Sequence, residues 1–226
     1  MSSRRRIVAV VAVVAMAMAA VAAAQAQRRH PVSGRVIAEV MGYEGAAWLE
    51  RPEREREEEP SKAIAALDIK PGQLVADVGA GSGYYPVRLA ERVGASGKVF
   101  ATDIQPEMLT LVRQRVARGQ LAQVEVVQAT ETDPRLPANQ LDLILMVDVY
   151  HELARPQQVL RQLRTALKPD GRLVLIEFRK ESASVPIREE HKMSVKEARM
   201  ELEAEDYRFD RVIDVLPWQH ILVFRR

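Results

Sequence analysis

The stretch that most constrains this chain is LVADVGAGSGYY, residues 74–85. Its apolar start, residues 74–78, reads as a buried strand carrying one acid, Asp77, near its end. Gly79, Gly81 and Gly83 follow, and a helical pattern opens behind them with Pro86 suited to its first turn. Glycine lacks a Cβ, so it permits a tight turn and lets a ligand approach the backbone closely. A helix start adds unpaired N–H groups and the positive end of a dipole. Strand, glycine turn and helix together describe the first βα unit of an open α/β sheet, with a nucleotide-type site at the turn. The spacing is D-x-G-x-G-x-G, not the G-x-G-x-x-G of dinucleotide folds, because Tyr84 stands where their third glycine falls.

The rest of the chain extends that unit. Residues 98–102 read as a second strand with Asp103 at its C-terminal tip, 20 residues beyond Gly83. An acid placed there accepts hydrogen bonds from ribose hydroxyls in nucleotide-binding α/β folds; a helix-capping role is less suited, because Gln105 is nearer the capping position of the helix at 106–118. Residues 124–127 form a third strand, and residues 141–147 a fourth, nearly continuous and apolar as a central parallel strand should be. Its tip reads Asp148-Val149-Tyr150-His151-Glu152, a second polar cluster where such sheets bind ligands. A helix at 156–167 leads into KPDGRLVLIEF, a turn and strand at 168–178. A polar loop follows at 179–190, and Ser194 and Glu197 form a capping box for the last helix. Strands at 208–216 and 219–224 are joined so tightly across Pro217 and Trp218 that they must be antiparallel.

The glycine motif, taken with this order of elements, resembles motif I of the class I S-adenosylmethionine (SAM)-dependent methyltransferases of the type 11 kind. KPDGRL resembles their L-K-P-G-G-x-L segment, with Asp170 replacing the first glycine, and the terminal hairpin resembles theirs. The resemblance covers residues 61–226. It implies a Rossmann-like α/β fold, with a mostly parallel seven-stranded sheet, helices on both faces and a C-terminal antiparallel hairpin. It implies SAM as cofactor, bound by Asp77, Gly79, Ala80, Gly81, Gly83, Tyr84, Asp103, Ile104, Ala129, Thr130 and Asp148. Asp77 is expected to set the amino-acid end of the cofactor and the motif-I loop, and Asp103 to hold ribose. Gln128, Ala129 and Thr130 should border the adenine; many relatives carry an acid where Ala129 stands, so one contact to the adenine amine is missing.

Methyl transfer from a sulfonium is an in-line displacement on an already activated carbon, so the protein mainly positions the acceptor; positioning alone is worth roughly 7–11 kcal/mol. A base is needed only when the nucleophile carries a proton. His151 is the candidate, with Asp148 orienting substrate or the sulfonium side and Tyr150 lining the pocket. A structural helix-start role is the competing reading of His151. His191, Lys192, Trp218 and His220 fall in the region that usually builds the acceptor pocket. With no cysteine and four scattered histidines, no metal site is expected. No D/N-P-P-Y motif points to nucleic-acid bases, so a small-molecule acceptor is expected.

The amino-terminal end is a separate matter. Arg4, Arg5 and Arg6 precede an apolar run at 7–24 and an A-Q-A-Q string. This pattern is a signal peptide over residues 1–26, or an uncleaved anchor, and it places the body in the periplasm or otherwise outside the cytoplasm. Without those three arginines the formal charge of +2 becomes −1, which does not suit a nucleic-acid binder. Residues 27–60 read as a helical extension. Val36, Ile37, Val40 and Met41 share a helical face, and RPEREREEEP at 51–60 is either a solvated helix with Arg54–Glu58 attraction and Glu53–Glu57 repulsion, or a lid over the cofactor mouth. The lid reading rests on W-L-x-R-P-E-R, which resembles a group of exported bacterial methyltransferases. Two other functions fit the chain: a non-catalytic exported protein of the same fold, which binds a ligand or partner, and a nicotinamide oxidoreductase, against which the glycine spacing and terminal hairpin argue.

Overall fold

A computed structural model describes residues 28–226; the leader expected over residues 1–26 lies outside them. After a 3₁₀ turn at Tyr43–Glu50 come α1 (Arg54–Glu57), α2 (Pro60–Ala66), β1 (Leu74–Val78), α3 (Tyr84–Val93), β2 (Lys98–Asp103), α4 (Pro106–Arg118), β3 (Val124–Gln128) and β4 (Leu141–Val147). Then follow a 3₁₀ turn at Tyr150–Glu152, α5 (Pro156–Ala166), β5 (Leu167–Arg179), a 3₁₀ turn at Glu189–His191, β6 (Lys192–Met193), α6 (Val195–Glu203), β7 (Arg208–Ile213) and β8 (Gln219–Arg225). The sheet runs β3-β2-β1-β4-β5-β8-β7. It has eight strands where seven were expected, because the two-residue β6 adds itself beside β5 through Phe178 and Arg179.

The central strands are buried on both faces, and beyond the irregularity between Leu141 and Leu143 their side chains alternate between the two faces. Leu143 and Leu145 of β4 join Val75, Leu89, Val93 and Val112 on one side of the sheet. Ile144 and Met146 join Leu160, Leu163, Leu202 and Phe224 on the other. Such strands are stable only with helices on both faces, which α2–α4 and α5–α6 supply. β1 pairs in parallel with both β2 and β4. The strand order therefore reverses between β1 and β4, and a crevice opens at their C-terminal ends. The last two strands pair antiparallel, β8 with β5 and β7 with β8. Ser194 caps α6 through both bonds of its capping box with Glu197.

The extension before the sheet departs from its pattern. No helix forms over residues 36–41. The Ile37 N–H instead donates to Arg28 O at 2.8 Å and the Ala38 N–H to His151 O at 3.1 Å, while Val36 bridges Arg29. Backbone donors used by distant partners are not free for an i−4 ladder, so the apolar residues there follow the crevice instead of a helix. Residues 51–58 are solvated on one side only: Pro52, Glu53, Glu55 and Arg56 are exposed, whereas Arg54 and Glu58 are buried and paired at 2.8 Å. Glu57 pairs with Arg51 at 2.9 Å.

Candidate active site

The crevice holds a cavity of about 1170 Å³. Its floor is built at three strand tips. Behind β1, the loop 79–83 is left-handed at all three glycines, with φ of 78°, 53° and 86°. A Cβ on Gly79 would lie 2.5 Å from Val149, and one on Gly83 would lie 3.2 Å from the Val112 backbone of α4. The glycines thus let the turn pack against the β4 tip and against α4 as well as shaping the mouth. Thr102 O accepts from the N–H groups of Gly79 and Ala80, at 2.8 and 2.9 Å.

At the β2 tip, Asp103 Oδ2 accepts from Gly81 N at 2.9 Å and Oδ1 from Gln105 N at 2.8 Å. Asp103, not Asp77, is the acid that fixes the loop. Asp77 is buried behind the turn, and no hydrogen bond to its carboxylate forms among the described residues. Burial, then the nearby Asp103 charge, pushes Asp77 up to about 7, with Arg54 opposing. Burial also raises Asp103, against the pull of its backbone bonds.

At the β4 tip, Asp148 sits at φ 52°. Its Oδ2 accepts from Gln219 Nε2 at 2.7 Å, while Oδ1 is buried without a partner among the described residues. Burial, then the charges of Glu58 and Glu177, drives Asp148 well above the ordinary carboxylate range. His151 is buried one turn on. Its Nδ1 meets Glu177 Oε2 at 2.6 Å and its Nε2 meets His191 Nδ1 at 3.1 Å. A carboxylate oxygen accepts, so the Nδ1–H of His151 is directed at Glu177 and its Nε2 faces His191. Glu177 Oε1 accepts from Tyr150 N at 3.0 Å.

Of the residues expected at the cofactor, Gly79, Gly81, Asp103, Ile104, Ala129, Thr130 and Asp148 line the cavity; Asp77, Ala80, Gly83 and Tyr84 do not. Of those expected around the acceptor, His151 and His191 line it, whereas Tyr150, Lys192, Trp218 and His220 do not. The sequence reading missed Glu177, although one acid inside the run LVLIEF was a visible signal. It also missed the apolar wall from Val36, Ile37 and Met41, and the buried cluster behind it. In that cluster Arg35 Nε donates to Glu201 Oε1 at 2.8 Å and Arg35 Nη1 to His151 O at 3.0 Å. His30 Nε2 lies 3.2 Å from Glu201, and burial, then Arg35, lowers His30 to about 4.

The segment before the sheet also clasps the glycine loop. Trp48, Leu49 and Arg54 line the cavity. Glu50 pairs with both Ser82 and Arg115, and the Arg54 guanidinium lies 4.4 Å from the Tyr84 ring centre.

A family model described as a methyltransferase domain matches residues 76–175. A solved SAM-dependent methyltransferase from Aquifex aeolicus superposes with a TM-score of 0.77 at 31% identity, covering 82% of this chain and 98% of that one. The chain belongs to the class I SAM-dependent methyltransferases. Two further relatives of this methyltransferase chain are the ubiquinone/menaquinone biosynthesis C-methyltransferases of Azotobacter vinelandii and Salmonella arizonae. They are 34% and 33% identical over 53% and 52% of this chain. The chain spans about half the length of those two relatives, 47% in each case.

The family's cofactor is SAM, and the crevice fits it. The Asp103 carboxylate spends one acceptor site per oxygen on backbone N–H groups and keeps others for vicinal hydroxyls. Thr102 Oγ1 and Asp148 Oδ1 are buried and unpartnered among the described residues, and both residues line the cavity. Unpartnered buried polar atoms are costly, so a polar ligand at these tips has bonds waiting for it.

Proposed function

We propose that the protein transfers a methyl group from SAM to a small, largely apolar acceptor. The observation that carries this reading is Asp103: its carboxylate closes the glycine turn and faces the same cavity as Gly79, Gly81 and the unpartnered atoms of Thr102 and Asp148. Bound SAM supplies a methyl group activated on a sulfonium sulfur. Gly79 and Gly81 admit it, Asp103 holds its ribose, and Ala129 and Thr130 flank its base.

Val36, Ile37, Met41, Leu153 and Ile187 give the cavity an apolar wall beside the polar Glu152, Arg188 and His191. Such a lining suits an apolar body and excludes water from the transfer. The two relatives named for C-methylation in ubiquinone/menaquinone biosynthesis agree with that class of acceptor. His151 Nε2 is aimed at His191, so a proton leaving the acceptor reaches His151 through His191, which is the more exposed of the pair. The segment of residues 43–58 serves as the cover of the cofactor mouth, and the leader places the protein outside the cytoplasm.

Calorimetric titration of the full-length chain with SAM, S-adenosylhomocysteine and NAD tests the reading. SAM should bind at micromolar level and NAD should not. Asp103→Ala removes two bonds to a charged acceptor, each worth roughly 1.5–3 kcal/mol, so affinity should fall about 100-fold or more. Folded protein that ignores SAM overturns the proposal. SAM binding without transfer of labelled methyl to any acceptor would favour a ligand-binding role.

A further inference from the structure

The fold gathers what the sequence scatters. His151 from the β4 tip, Glu152 beside it and His191 from the loop after β5 offer one ligand atom each, all within 4.8 Å of one another. We propose that these three residues bind a divalent first-row transition-metal ion at the acceptor end of the cavity.

The distances fit an ion. His151 Nε2 and His191 Nδ1 are 3.1 Å apart, and Glu152 Oε1 lies 3.8 Å from each. The circumradius of a triangle with sides 3.1, 3.8 and 3.8 Å is about 2.1 Å, which matches the ≈ 2.0–2.2 Å bonds of zinc to imidazole and carboxylate. No backbone movement is needed to place an ion at bonding distance from all three.

The surroundings are those of a ligating histidine. Glu177, fully buried in β5, takes the His151 Nδ1–H at 2.6 Å and is itself held by the Tyr150 N–H. A carboxylate behind a ligating imidazole fixes its tautomer and raises its basicity. The second ring and the carboxylate keep an open side: the side chains of His191 and Glu152 are 25% and 12% exposed, and both residues line the cavity. Two nitrogens and one oxygen suit zinc, cobalt, nickel, iron or manganese rather than magnesium or calcium, which want oxygen alone. Three protein ligands leave a position for an outside oxygen. That this oxygen belongs to the methyl acceptor rests on the methyltransferase reading; the binding of the ion does not. With an ion bound, neither imidazole is free to act as a base, so the proton route through His191 to His151 belongs to the metal-free chain alone.

The competing arrangement is a simple hydrogen bond from His191 Nδ1–H to His151 Nε2. To separate the two, the full-length chain is stripped with a chelator and titrated with Co(II), then with Zn(II), with Mg(II) as control. The expected result is one equivalent of Co(II), visible d–d absorption, displacement by Zn(II) and no response to Mg(II). Affinity should fall at least tenfold in His191→Ala and in Glu152→Gln, and 10- to 100-fold in Glu177→Gln. A folded wild-type chain that takes up less than one equivalent, or a His191→Ala chain that binds like wild type, overturns the proposal. The wild-type stoichiometry decides even if a variant fails to fold. It is read without SAM, so a chain that binds metal but not cofactor would refute only the methyltransferase reading.

Discussion

Asp77 makes the apo fold sensitive to alkali in a way that can be measured. It is buried and receives no hydrogen bond among the described residues, and its carboxyl is pushed up to about 7 by burial and then by Asp103. In the unfolded chain it titrates at its ordinary value of 3.8. The folded state therefore holds the proton more tightly, so its contribution to stability is complete below pH 3.8 and is lost as pH rises through about 7. At 1.36 kcal/mol per unit, the whole loss is about 4 kcal/mol, of which about 2.5 falls between pH 5 and pH 8. Asp77→Asn keeps the shape and removes the titration. Urea melts of wild type and Asp77→Asn at both pH values isolate this one group, because Asp103, Asp148 and Glu152 tilt both proteins in the same direction. The wild type should lose about 2–3 kcal/mol more than the variant between those pH values. Equal losses would refute the claim that Asp77 is held protonated.

Two further perturbations probe the frame around the site. Glu201→Ala leaves the Arg35 guanidinium buried without its carboxylate, and should cost about 3–5 kcal/mol in a denaturant melt. Gly83→Ala forces a Cβ into left-handed backbone against Val112 and should lower stability by about 1–3 kcal/mol, read as a lower melting temperature.

How much of this was legible depends on how local the cause is. The limits of β4, Leu141–Val147, coincide with its apolar run, because a doubly buried strand leaves that run as its signature. The Ser194–Glu197 box formed as read, since both of its bonds lie within one turn. Asp103 could be placed at the β2 tip by strand length alone. The failures are long-range. Residues 36–41 carry a helical pattern of apolar positions, yet their backbone donors are taken by Arg28 and His151. Arg54 and Glu58 were readable as a pair, but not as a buried one under the glycine loop. His151 and His191 stand 40 residues apart and meet only because β5 and its loop fold back beside β4. Glu177 joins them because its strand position faces the β4 tip, a matter of register that no single sequence displays.

The cavity wall is drawn from two sources. Gly79, Gly81, Asp103, Ala129 and Asp148 lie within the stretch that matches the methyltransferase domain, residues 76–175. Val36, Met41 and Trp48 come before that stretch, and Phe178, Ile187 and His191 after it. Such an arrangement lets the two halves evolve at different speeds. On the proposed function, mutation in the flanking segments can redraw what enters the acceptor side while the strand tips that would hold the cofactor stay unchanged. Lineages that keep the same methyl donor can in this way diverge widely in what they methylate.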